Sequence, residues 1–334
     1  MQAKAIVLAK RPLGQLQVSD FAVISAVLPE LKDGEALIAA RYLSIDPYLR
    51  GLLDEAPFVG QPIPVGGVVT CRGIGEVMES ASPAFKAGDL VFGELGWQSQ
   101  TVLPAAALRP VGQNGHPMTW QLGVLGIPGI TAWLSLDRIA SPKPGDAVVV
   151  SSAAGTVGSA AGQIAKAAGC TVIGIAGGPQ KTAVLRNALG FDDAIDYLGT
   201  ANLTEAIAAV LPNGADIYFD NVGGPMLDAM LPVMRPLGRV VICGYMSGYE
   251  MTGEAPAMRN AKLISFRRLR VEGFSVRDHV TDHARAAQAL LGLADAGRLR
   301  QIETVCEGLS DAPQALVGLM RGNMTGKVIV SCAV

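Results

Sequence analysis

Three groups of residues in this chain have types and spacings suited to chemistry. The first is Ala153-Ala154-Gly155-Thr156-Val157-Gly158, a small-x-Gly-x-x-Gly spacing that cradles a diphosphate. Gly155 lets backbone N–H groups approach an anion closely, and Gly158 lets a helix pack tightly on the preceding strand. The N-terminus of that helix offers unsatisfied N–H groups and the positive end of its dipole. The second group is Gly177-Gly-Pro-Gln-Lys181, at the place where a site for an unphosphorylated dinucleotide carries Asp or Glu for the ribose 2′-hydroxyl. No carboxylate is expected within reach of that turn, and a lysine attracts a 2′-phosphate, so the sequence favours NADP(H) over NAD(H). The bland alternative is that Lys181 opens a solvated helix. The third group is phenolic: Tyr48, Tyr245 and Tyr249 can each donate a hydrogen bond to an oxyanion.

These groups need strands and turns to hold them. Ala147 to Val150 is a short, mostly β-branched run of the kind that forms a buried parallel strand. After the small-residue turn, Ala160, Ala161, Ile164, Ala165 and Ala168 recur at helical spacing, and Gly169 stops the helix. Thr171 to Ala176 then reads as a second buried strand. Further strands are expected at Asp193–Asp196, Ile217–Phe219 and Arg239–Cys243, with helices at Lys181–Leu189 and Leu203–Val210. This alternation predicts an α/β fold with a doubly wound parallel sheet. Leu263–Phe274 reads as extended, and 282–296 as an amphipathic helix.

Residues 1–125 read differently, as short strands broken by Pro, Gly and Asp: Ala5–Leu8, Phe21–Ile24 and Glu35–Ala39. Val65–Met78 also reads as a strand, and its four glycines suggest bulges or a bend. Several such strands imply a small β-rich barrel or sandwich. The tail resembles two strands around a helix and is expected to return to this first domain. The expected division is 1–125 with 297–334, and 126–296 between them.

Half of the 334 residues are hydrophobic and 17% are charged, which describes a compact globular chain. A net charge of −2 gives no broad electrostatic reason to expect nucleic-acid or anionic-membrane binding. Five scattered cysteines without a C-x-x-C pair read as reduced thiols rather than as a disulfide framework or a zinc site. The N-terminus has too short an apolar core for a signal peptide, and no stretch reads as a membrane span. The cytoplasm is therefore the default expectation.

Several loops follow predicted strands, where ligands of doubly wound sheets sit. Asn221, in Asp220-Asn-Val-Gly-Gly224, could bond a cofactor or form a helix-capping Asx turn. Cys243-Gly244-Tyr245-Met246-Ser247-Gly248-Tyr249 suits the floor under a nicotinamide, with Tyr249 as the preferred donor. Tyr48, in Asp46-Pro-Tyr-Leu-Arg50, either faces an interdomain cleft or lies half buried by Arg50. His279 and His283 do not make a metal motif and are expected to be solvated.

Taken together with Gly126-Ile-Pro-Gly-Ile-Thr-Ala132, Gly162-Gln-Ile-Ala-Lys166, Gly169-Cys-Thr-Val-Ile-Gly174, Tyr218-Phe219 and Gly326-Lys327, these motifs resemble the medium-chain dehydrogenase/reductase superfamily. The resemblance spans nearly the whole chain. It is closest to the zinc-independent branch of leukotriene B4 12-hydroxydehydrogenase/prostaglandin reductases, plant double-bond reductases and curcumin reductase. It implies a Rossmann domain plus a GroES-like barrel domain, and NADPH-dependent reduction of the carbon–carbon double bond of enals or enones. It also implies a homodimer. By the matching positions, Lys181 would hold the 2′-phosphate and Tyr197 would flank that phosphate or the ribose. Ala154 to Gly158, Gly177, Asn221, Cys243 to Tyr249, Phe274-Ser275-Val276 and Asn323 would line the cofactor, and Tyr249 and Tyr48 would serve the substrate. Zinc-dependent relatives carry a cysteine near Asp46 and Gly-His-Glu near Gly66-Gly67-Val68, so the resemblance implies that no metal is bound. The rival readings are an NADPH quinone reductase and a non-catalytic NADPH-binding sensor.

Overall fold

The computed structural model describes residues 2–57 and 60–332. The chain divides into two compact units, Met1–Leu122 with Glu303–Val334, and Gly123–Ile302. The first stretch supplies strands β1 (Gln2–Leu8), β2 (Phe21–Val27) and β3 (Glu35–Ile45), the short helix α1 (Tyr48–Leu52), and strands β4 (Arg72–Ser80), β5 (Leu90–Glu94), β6 (Gln100–Pro104) and β7 (Arg109–Pro110). The second unit runs α2 (Ile127–Ser135), β8 (Ala147–Ser151), α3 (Thr156–Ala167), β9 (Thr171–Ala176), α4 (Pro179–Asn187), β10 (Asp193–Asp196), α5 (Leu203–Val210), β11 (Ala215–Asp220), α6 (Gly224–Met230), β12 (Met234–Ile242), α7 (Lys262–Phe266), β13 (Arg270–Gly273) and α8 (His283–Asp295). The chain then returns to the first unit with β14 (Glu303–Glu307), α9 (Ala312–Met320) and β15 (Lys327–Ser331).

In the first unit β1 and β2 pair antiparallel, and the remaining strands form a sheet in the order β14-β15-β3-β4-β5-β7, with β6 also on β3. The core is aliphatic, around Ile6, Leu43, Val77 and Val330, and carries one fully buried indole, Trp97, whose ring lies 5.3 Å from that of Phe21. The glycines of β4 mark an irregularity. Register against β3 shifts between Ala40 and Tyr42, opposite Gly75 and Ile74. A Cβ at Gly75 would stand 2.4 Å from Ile38 and 2.7 Å from the Ala39 carbonyl. The strand predicted over Val65–Met78 is shorter than expected. Gly66 takes φ +83° and Gly67 closes a turn on Pro64, so the chain bridges only at Val68 before β4 begins.

The second unit is a six-stranded sheet in the order β10-β9-β8-β11-β12-β13, parallel throughout. Strand β8 is buried along its whole length, which explains its uninterrupted apolar run. Val149, Ile173, Ile175, Tyr218 and Val240 form its core against α5 and α6. The predicted extension over Leu263–Phe274 is a helix followed by a strand, α7 then β13. Leu263 and Ile264 of that single turn pack on the core while Phe266 is exposed. Five residues are too few to display a helical period. Among the described residues no helix is long and apolar enough to cross a membrane.

Candidate active site

The turn after β8 leads directly into a helix start that no side chain caps. Ser152 adopts φ +48°, Ala153 N–H bonds to Ile175 O at 3.1 Å, and Gly155 N–H closes on Ser152 O at 3.0 Å. Gly155 is the N-cap of α3 in an extended conformation, and no side chain caps the helix. The N–H groups of Thr156, Val157 and Gly158 therefore open the helix without intrahelical acceptors. A Cβ at Gly158 would stand 2.4 Å from Ser152 O and 2.9 Å from the Ala153 Cα, so only glycine lets the helix lie this close.

Two loops meet beside the next strands. β9 ends at Ala176, in register with Asp196 at the end of β10. Gly178 follows at φ +87°, and Lys181 sits half-buried in the first turn of α4, where burial lowers its ammonium pKa. The Tyr197 ring lies over Gly177, its Cε1 3.1 Å from where a Cβ would be. A carboxylate does reach this turn, against expectation: Asp196 Oδ1 accepts Gly178 N–H at 2.7 Å and Leu198 N–H at 3.0 Å. The Gly178 N–H foremost, with those of Leu198 and Gly199, outweighs desolvation and holds this carboxyl below the usual carboxylate range. The sequence reading missed Asp196 because it belongs to the next strand, and only strand order makes it a neighbour.

On the other flank, Asp220 is fully buried at the end of β11. Its Oδ1 accepts from Tyr218 Oη at 2.8 Å, and from Ser151 Oγ, Val222 N–H and Gly223 N–H at 3.0 Å each, while Oδ2 has no partner. The Asx turn considered for Asn221 is thus made by Asp220. Asn221 ties β11 to β8 instead: its N–H donates to Ser151 Oγ at 2.9 Å and its Nδ2 to Ser151 O at 2.7 Å. Cys243 and Gly244 donate to Asp220 O, and Ser247 donates from both N–H and Oγ to Val222 O, stitching this loop to β11. The Tyr245 ring wedges against Gly223 and Gly248. Burial, and then the Asp220 charge, push the Cys243 thiol up to about 12. Burial, and then Cys243, raise the Tyr249 phenol above its ordinary value. After β13, Phe274 stacks on His279 at 5.1 Å, and His283 Nε2 lies 3.0 Å from Val276 O. These two histidines hold the Phe274–Val276 segment rather than standing in solvent, as the sequence suggested.

Tyr48 and Asn323 belong to the first unit. Asn323 follows α9, exposed, with its N–H on Gly318 O. Tyr48 opens α1 half-buried. Burial first, then the charge of Asp46, raises its phenol pKa, and the Arg72 guanidinium lies 5.9 Å from the ring centroid. Arg50, considered as its cover, instead pairs with Asp54 at 2.8 Å and donates to Gly14 O. Asp46 is held by Ser44 Oγ and by the fully buried Lys327 ammonium at 2.6 Å, which also donates to Ile45 O at 3.2 Å.

All these loops in the second unit leave the carboxyl ends of parallel strands, the position at which doubly wound sheets bind dinucleotides. The sequence matches two family models, "N-terminal domain of oxidoreductase" over residues 4–111 and "Zinc-binding dehydrogenase" over 156–295. The chain belongs to the medium-chain dehydrogenase/reductase family, with a GroES-like N-terminal domain and a Rossmann-type sheet. Within it, the chain falls in the branch of curcumin, 2-alkenal and prostaglandin reductases. It is 36% identical over 334 residues to the 2-alkenal reductase (NADP(+)-dependent) of Nicotiana tabacum, covering 98% of this chain and 96% of that one. It is 35% identical over 332 residues to the NADPH-dependent curcumin reductase of Escherichia coli, with the same coverage. The structure of CurA from Vibrio vulnificus in complex with NADPH superposes with a TM-score of 0.92 at 35% identity, covering 99% of each chain.

The second family description implies zinc, and the residues here do not fit it. Asp46 already faces an ammonium, Gly66-Gly67-Val68 brings no ligating side chain, and no group of three His, Cys, Asp or Glu side chains among the described residues could hold a metal.

Proposed function

We propose that this chain is an NADPH-dependent reductase of the carbon–carbon double bond of α,β-unsaturated aldehydes and ketones, working without a metal. The observation that carries the reading is the row of loops along one sheet edge: Lys181 and Tyr197 at one flank, the Gly155–Gly158 turn at the centre, and Tyr249 beyond β12. The amides of Thr156 to Gly158 hold the diphosphate, and Lys181 holds the 2′-phosphate with Tyr197 beside it. Gly177, Asn221, the Cys243–Tyr249 loop and Phe274–Val276 line the rest. When bound, NADPH supplies the hydride that reaches the substrate β-carbon.

The protein must then stabilise negative charge on the carbonyl oxygen. Tyr249, whose phenol pKa burial and Cys243 raise, donates a hydrogen bond there. Proton delivery to the α-carbon comes from Tyr249 or water. A phenol donor replaces a Lewis acid in this scheme. We further assign the chain to the cytoplasm, in keeping with its five free thiols. We also propose a homodimer through the β13 edge, where Leu237, Phe266 and Val271 are exposed. Mixing the purified protein with NADPH and a simple enone, and following cofactor absorbance, tests the activity. Consumption with quinones alone, and none with enones or enals, would contradict the substrate class.

A further inference from the structure

We propose that Asp196 is a positioning residue for the phosphorylated end of the coenzyme, clamping the loop after β10 onto the turn after β9. The inference rests on the placement of the 2′-phosphate at the Lys181 turn. Because Asp196 pairs in register with Ala176, the two strands end side by side, and Tyr197 N–H donates to Ala176 O at 3.1 Å. A single oxygen, Asp196 Oδ1, then accepts one N–H from each loop, Gly178 at 2.7 Å and Leu198 at 3.0 Å. Its own carbonyl accepts Thr200 Oγ1 at 2.7 Å, which folds the second loop back on itself.

The consequence is a built wall. Tyr197 and Leu198 lie against Gly177, within 3.0–3.1 Å of where its Cβ would be, yet are 41% and 70% exposed. A phenol ring and an isobutyl group held open against the turn that leads into α4, the helix that carries Lys181, suit a ligand with a flat apolar part and an anionic part, as the adenosine 2′-phosphate has. Lys181 supplies the attraction for that phosphate, while the Asp196 carboxylate stays ionised because the Gly178 and Leu198 N–H groups stabilise its charge. Its role is to fix Gly178 and so aim the start of α4, from which Lys181 projects.

The test compares wild type with Asp196→Ala, Asp196→Asn and Lys181→Ala. Dissociation constants for NADPH, NADH and 2′,5′-ADP are measured by calorimetry, alongside melting temperature. Asp196→Ala should weaken NADPH and 2′,5′-ADP by about tenfold while moving NADH by no more than about twofold. Asp196→Asn, which keeps an oxygen acceptor, should restore most of the loss. An equal loss for NADH and NADPH, or a fall in melting temperature without a change in preference, would mean that Asp196 is only a structural staple, and would overturn the proposal. If Lys181→Ala loses the preference for NADPH and Asp196→Ala does not, the clamp alone fails. If neither loses it, the placement of the phosphate fails as well.

Discussion

The two glycines of the small-x-Gly-x-x-Gly turn do different physical jobs, and replacing each with alanine separates them. At Gly158 the new methyl would stand 2.4 Å from Ser152 O, about 1 Å short of ordinary contact, and its other close neighbours are also backbone. Nothing flexible can yield, so the start of α3 must retreat. Overpacking of this kind costs about 1–3 kcal/mol, and melting temperature moves by about 2–4 °C per kcal/mol in a unit of this size. A retreat of about 1 Å also pulls the opening N–H groups from the diphosphate, and losing one such charge-assisted bond weakens NADPH about tenfold or more. At Gly155 the contacts are 3.3 Å to Ser152 O and Oγ, and φ is −83°, which alanine adopts without strain. Gly155→Ala should therefore melt within about 2 °C of wild type and still lose NADPH affinity, because its methyl intrudes where the diphosphate approaches. Thermal melts and calorimetric titration of both variants decide the matter. A Gly155→Ala protein that binds NADPH like wild type would refute the placement of the diphosphate. A Gly158→Ala protein with unchanged melting would refute the packing argument.

Tyr249→Phe should lower kcat about 10²-fold or more with NADPH affinity unchanged; full activity would remove Tyr249 from the chemistry. Burial and Cys243 raise this phenol, so its donating form is complete at neutral pH and is lost only as pH rises past a value above the ordinary 10; a kcat–pH profile falling well below pH 10 would contradict this. Lys327→Met strands the Asp46 carboxylate and should destabilise the protein by about 3–5 kcal/mol in denaturant titrations, with Asp46→Asn/Lys327→Met recovering part of the loss. Strictly additive losses would show that the pair is uncoupled. Prolonged dialysis against a chelator should leave enone reduction unchanged, whereas a loss reversed by zinc would overturn the metal-free reading.

The parallel sheet was legible because burial on both faces leaves near-continuous apolar runs: β8 and β9 are where their residues suggested. The fingerprint was legible because its constraint is local, a helix start against its own strand. What failed were segments too short or too irregular to carry a period. α7 packs only the partly buried Leu263 and Ile264 on the core and is too short for a period, and the Val65–Cys71 run is shaped by a left-handed glycine and a turn. The reach of Asp196 to Gly178 escaped notice because it joins the loops of two neighbouring strands, and His279 and His283 were read as solvated because no spacing shows the ring and carbonyl that they meet. Lys327 reaches Asp46 across 281 positions of sequence. A lysine in an otherwise apolar terminal strand was the available signal, visible within Gly326-Lys327 but mute about its partner.

That last strand bears on how the molecule is made. β15 lies between β14 and β3, so the sheet of the first unit has a gap until residues 327–331 leave the ribosome. At about 5–20 residues per second, the first 122 residues wait roughly ten seconds or more with the Tyr42–Ile45 part of the β3 edge uncovered, while the intervening Rossmann unit is already complete and can fold. Nascent chains arrested just short of β15 should therefore resist protease across the nucleotide-binding unit and remain cleavable in the other, and they are the species that a holding chaperone would meet.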